Sequence, residues 1–103
     1  MLVLRAHAIL LERLPEGSLE GKIVKILLES GADADKAAEE GVTPLFIASQ
    51  EGKLKIVKCL VEVGKAEVDE ADNGGVTPLY IASQKGKLDV VKYLVEEGKA
   101  ENG

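Results

Sequence analysis

The chain carries one histidine, His7, and one cysteine, Cys59. A zinc site needs about four nitrogen, sulfur or carboxylate ligands, so this pair falls short of one. His7 falls at helical spacing with Val3, Leu10 and Leu14. It reads as a packing residue on an apolar stripe rather than a catalytic base. Cys59 stands 34 residues before Tyr93 and 33 after Ile26 in a repeating pattern, which makes it a small apolar filler rather than a nucleophile. Asp69, Asp72 and Asn73 have the look of a calcium loop, but the twelfth position counted from Asp69 is Tyr80. Such a loop needs a bidentate Glu there, so the signal fails. Phosphate-cradling glycine loops, a zinc-protease His-Glu-x-x-His and a Ser-x-x-Lys pair are all missing from the sequence. The acids Asp33, Asp35, Glu39 and Glu40 read as a solvated loop, and Lys22, Lys25, Lys55, Lys58 and Lys92 as the wet side of helices. The residue inventory points away from enzymatic chemistry and toward a protein without cofactors or metals.

Composition narrows the partner class. Eighteen acids against 13 bases give a net charge of −5, and aromatics make up 3% of the chain. Gripping a nucleic-acid backbone takes a basic surface and usually stacking platforms, so nucleic acid is excluded as a partner. No run reaches the roughly 18 uncharged apolar residues of a membrane span. A lone cysteine cannot form an internal disulfide, which favours a reducing compartment and a cytoplasmic location.

The elements that position these side chains come in copies. Residues 43–64 read TPLFIASQEGKLKIVKCLVEVG and residues 77–98 read TPLYIASQKGKLDVVKYLVEEG, identical at 16 of 22 positions with a period of 34. A fixed period in the thirties marks stacked helical units, each burying apolar surface against its neighbours. Thr43 and Thr77 are placed to cap short helices that start at Pro44 and Pro78. Leu45 and Ala48 share a helix face, as do Leu79 and Ala82, and Gly52 and Gly86 end the helices. Second helices follow with apolar stripes at Leu54, Val57, Leu60 and Val61, then at Leu88, Val91, Leu94 and Val95. Gly64 and Gly98 are expected to close them in the left-handed conformation. Residues 72–75 (Asp-Asn-Gly-Gly) signal a turn.

An earlier unit is half legible. KIVKILLESG at 22–31 aligns with 55–64, while 2–14 suggests a longer helix ended by Pro15 and Gly17. The domain organisation predicted is one all-α domain over 1–103, in units 1–37 (an atypical N-terminal cap), 38–71 and 72–103.

Residues 41–98 closely resemble the ankyrin repeat, on the pattern Gly-x-Thr-Pro-Leu, short helix with Ala, Gly, and a second helix ending at Gly. Gly41, Thr43, Pro44, Leu45, Ala48, Gly52, Val57, Leu60, Val61 and Gly64 carry it, as do their counterparts from Gly75 to Gly98. The resemblance implies a solenoid of helix-turn-helix units joined by hairpin loops. The family's histidine after Thr-Pro-Leu is Phe46 and Tyr80 here, so side-chain packing must replace its clip between repeats. The turn-opening Asp is kept at Asp72 but is Ala38 in the second unit, which leaves that turn less well specified. Lys65 resembles a one-residue insertion that lengthens the period from 33 to 34.

By resemblance, a protein partner would lie in a groove made by the turn tips and short helices. That surface comprises Glu39, Glu40, Val42, Gln50 and Glu51, then Asn73, Gly74, Val76, Gln84 and Lys85. Val42 and Val76 would form an exposed apolar ridge. A stable interface uses roughly 20–30 residues a side, so a groove this short would hold its partner weakly. The alternative reading is an engineered or structural scaffold forming a homo-oligomer. On that reading Leu88, Val91, Leu94 and Val95 would be the contact, because the last unit keeps its aliphatic stripe without polar replacement.

Overall fold

The computed structural model describes residues 24, 26 and 28–100. His7, Lys22, Lys25 and the helix expected over 2–14 lie outside the described residues. Among the described residues the fold is all-α, with a 3-10 turn at Glu39–Gly41 and four α-helices: α1 (Pro44–Glu51), α2 (Leu54–Glu62), α3 (Pro78–Gln84) and α4 (Leu88–Glu96). Helical residues Val24, Ile26 and Leu28 precede them in the first unit.

Local chemistry sets the helix starts. Thr43 Oγ1 accepts from the Phe46 amide at 3.1 Å and Thr77 Oγ1 from the Tyr80 amide at 3.1 Å. Each bond satisfies one of the donors a helix N-terminus leaves without an intrahelical partner. Pro44 and Pro78 occupy the first turn, where a missing N–H costs nothing. At the far end of α1, Gly52 turns left-handed at φ 72°.

Two rows result. The short helices α1 and α3 pack side by side, each against the second helix of its own unit, and α2 lies beside α4. Because α1 is enclosed by α2 and α3, it buries Pro44, Leu45, Phe46, Ile47, Ala48 and Ser49 in succession rather than one stripe. Val24, Leu28, Ile56, Val57, Leu60, Val90 and Leu94 fill the space between the layers. Each contributes roughly 1.5–3 kcal/mol when fully buried.

Three expectations need correction. The buried face of α2 is Ile56, Val57 and Leu60, and that of α4 is Val90, Tyr93 and Leu94. Leu54, Val61, Val91 and Val95 are only half-buried. A second helix that touches both its own short helix and its neighbour's second helix buries a face wider than a single stripe.

The left-handed residues are Lys65 (φ 55°) and Lys99 (φ 62°), not Gly64 and Gly98. The amides of Val63 and Gly64 both bond to the Cys59 carbonyl, at 2.9 and 3.1 Å, and Ala66 N reaches Leu60 O at 3.0 Å. Unit three repeats this set from Tyr93 and Leu94. The inserted lysine therefore takes the reversal of the chain, whereas in the first unit Gly31 makes it at φ 98°. Gly64 is needed for space instead. A Cβ there would lie 2.8 Å from Ala34 Cβ and 2.9 Å from both Leu28 Cδ2 and Leu60 O.

The replaced histidine clip has two outcomes. Phe46 is buried, but Tyr80 is 59% exposed, so burial can take over the clip's role at the first position only.

Candidate protein-binding surface

The turn tips are built on backbone bonds common to both units. Ala38 N donates to Val42 O at 2.7 Å and Asp72 N to Val76 O at 2.9 Å. At the second tip Asp72 adds its side chain, with Oδ1 accepting from the amides of Gly74 and Val76, each at 2.9 Å. Ala38 can offer no such acceptor. There the chain turns through Glu40 at φ 61° and Gly41 at φ 75°. Left-handed backbone costs a non-glycine residue roughly 1–2 kcal/mol, which makes this the more strained of the two tips.

The tips meet each other. Asn73 N donates to Glu40 O at 2.9 Å. A Cβ on Gly41 would fall 2.5 Å from Asn73 Oδ1, so glycine lets the second tip seat against the first. Further along the same side, a Cβ on Gly52 would meet Lys87 Cδ at 2.8 Å, because the lysine stem crosses that glycine. Gly41 and Lys87 were not among the predicted site residues. The signal for them was the period itself, since Gly41 recurs one unit on at Gly75 and Lys87 repeats Lys53.

Of the ten predicted groove residues, Glu39, Glu40, Asn73, Gly74, Gln84 and Lys85 are exposed, and Gln50 and Glu51 are half-buried. The tip residues and the Gln50/Glu51 and Gln84/Lys85 pairs lie at opposite ends of the short helices, about 10 Å apart at 1.5 Å rise per residue. Val42 and Val76 are half-buried, and Val42 packs against the core, so they do not form the exposed apolar ridge expected of them. They anchor the tips rather than project from them.

The loops carry the excess negative charge. Residues 32–42 hold four carboxylates and one lysine, and residues 65–76 again hold four and one. Part of this acidity is structural, which corrects the reading of Asp33 and Asp35 as merely solvated. Asp33 Oδ1 accepts from Asp35 N, and Asp35 Oδ1 from Glu67 N one unit away, both at 2.9 Å.

On the opposite side, α2 and α4 are joined by a polar contact that sequence reading did not find. Tyr93 OH donates to Glu62 Oε2 at 2.6 Å, and Lys58 Nζ stands 5.8 Å from the Tyr93 ring centroid. Burial, then the Glu62 hydrogen bond and the charges of Glu62 and Glu97, push the Tyr93 phenol well above its ordinary range. Cys59 is half-buried and packs against the core.

A depression of about 250 Å³ lined by Gly52, Gly86, Lys87, Leu88, Asp89 and Val90 opens at the end of the helices away from the tips. Among the described residues no group of three or more His, Cys, Asp and Glu could hold a metal ion. No helix among them is long and apolar enough to cross a membrane.

The predicted self-association face is differently composed from expectation. Leu94 is fully buried, Val91 and Val95 are half-buried, and only Leu88, at 68%, is freely exposed. Leu94 is committed to the interior of its own unit.

A family model described as ankyrin repeats (3 copies) matches residues 16–102. The chain belongs to the ankyrin-repeat family. Ankyrin repeats are generally protein–protein interaction modules, and the family is typically non-enzymatic. The match takes in the half-legible first unit from residue 16 onward and leaves 2–14 outside it. No curated protein matches the chain.

Proposed function

We propose that the chain is a non-enzymatic, cytoplasmic protein-binding module of three units, 1–37, 38–71 and 72–103, that works without cofactor. It holds a protein partner along the turn tips and the far ends of the short helices. The observation that supports this most is the seating of one tip on the next through Asn73 N and Glu40 O. That contact aligns Glu39, Glu40, Asn73 and Gly74 into one polar edge with fixed spacing. The edge is short, and the affinity expected of it is modest. Its test is capture of partners by the immobilised chain, compared between two variant sets. Glu39→Ala with Glu40→Ala and Lys85→Ala should lose a captured protein that Lys55→Ala with Lys58→Ala retains. The opposite pattern would move the binding face to the second helices.

A second reading is favoured by Tyr80 and Leu88. Their counterparts one unit earlier, Phe46 and Leu54, are buried and half-buried, while these two stand 59% and 68% exposed. A scaffold that self-associates would cover them. Light scattering up to high micromolar concentration distinguishes the two readings. A dimer that Leu88→Glu abolishes supports self-association, and a strict monomer removes it.

A further inference from the structure

Both asparagines of the chain, Asn73 and Asn102, are followed by glycine. In an Asn–Gly pair the glycine nitrogen can attack the asparagine side-chain carbonyl carbon. Glycine is the follower that least obstructs this, because it has no side chain and the widest backbone freedom. Asn73, Gly74 and Gly75 are all exposed, so water and base reach the bond. Two contacts oppose the reaction in the folded chain. The Gly74 N–H is donated to Asp72 Oδ1 at 2.9 Å, and the carboxylate's negative charge disfavours loss of that proton. The Asn73 side chain is also seated against Gly41, where its Oδ1 fills the place of a Cβ.

We propose that Asn73 is a self-modification site whose rate is set by Asp72. When the turn opens, a base removes the Gly74 amide proton and the nitrogen attacks Asn73 Cγ. The new C–N bond closes a five-membered imide, the Cγ–Nδ2 bond breaks, and ammonia leaves carrying the proton. One water then adds to either imide carbonyl and opens the ring to an aspartyl or isoaspartyl residue at position 73. The sum is one water consumed and one ammonia released, with no oxidant, reductant or enzyme.

The site matters because of what it touches. The isoaspartyl product inserts an extra methylene into the main chain beside the amide that bonds to Glu40 O. Either product adds a carboxylate to a pair of tips that already carries Glu39 and Glu40. Conversion therefore loosens the contact between the tips and makes the edge more acidic.

The experiment follows the full chain at mildly alkaline pH, folded and in guanidinium, by intact mass and by peptide mapping that resolves isoaspartate. Position 73 should convert at least about tenfold more slowly in the folded wild type than in denaturant, the factor that a hydrogen bond to a charged acceptor provides at the low end of its range. Asp72→Ala should raise the folded rate toward the denatured one, and Asp72→Ser, which keeps an acceptor oxygen, should lie between. Circular dichroism confirms that each variant remains helical. If Asp72→Ala does not fold, the folded-to-denatured ratio of the wild type and the Asp72→Ser rate decide. Equal rates for folded and denatured wild type, or no acceleration when the acceptor is removed, would overturn control by Asp72. Conversion at position 102 with none at 73 in any condition would overturn the site itself.

Discussion

Neighbouring residues at the end of α2 answer to opposite demands. Gly64 is glycine because Ala34, Leu28 and the Leu60 carbonyl leave no room for a Cβ. Lys65 has room but holds a left-handed backbone at φ 55°. Adding a methyl group at the first position should destabilise, and removing the side chain at the second should stabilise. Gly64→Ala is expected to cost about 1–3 kcal/mol, the range for an overpacked core site. Lys65→Gly is expected to gain on the order of 1 kcal/mol, as left-handed strain is relieved and partly offset by the flexibility of glycine. Urea midpoints at constant slope check both signs. If Gly64 served as the left-handed residue, its substitution would be the strained one and Lys65→Gly would do nothing.

At the scale of elements, α2 and α4 are joined by an apolar interior and one polar tie. The Tyr93 hydroxyl keeps its proton in the folded chain above the pH at which a free phenol, near 10, would lose it. The folded state then binds more protons than the unfolded one, so stability falls as pH rises. This contribution is complete below about pH 10 and is lost progressively above it. Tyr93→Phe should cost about 1 kcal/mol at neutral pH, a figure discounted because Glu62 is exposed. The gap between variant and wild type should close above pH 10, as read from denaturation midpoints across the pH series.

Sequence patterns exposed the helices far better than their surroundings. Thr43-Pro44 and Thr77-Pro78 fix helix starts through bonds spanning three residues, and local chemistry of that kind is readable in one dimension. The role of Gly64 was not readable, because it depends on Ala34 and Leu28 across the unit boundary. The same holds for Ile56 and Val90, which are buried because each second helix has two partners. Val42 is not the exposed ridge residue its position suggests, because the tip sequence does not reveal that its side chain packs against the core.

For the molecule as a whole, the functional reading rests on whether its units are held in register. Stability in a repeat array is shared between the units and the interfaces joining them. Among the described residues, two joints outside the helices are Asn73 N to Glu40 O and Glu67 N to Asp35 Oδ1, which fix the loops that would meet a partner. Without those bonds, the helices could survive while the edge of Glu39, Glu40, Asn73 and Gly74 lost its fixed spacing. Amide hydrogen exchange resolved by residue tests this most directly. The Asn73 and Glu67 amides should exchange severalfold more slowly than free-peptide amides, although both lie in loops. Free-peptide exchange at both positions, with the α2 and α4 amides still protected, would mean that helices form without aligned tips and would contradict the account.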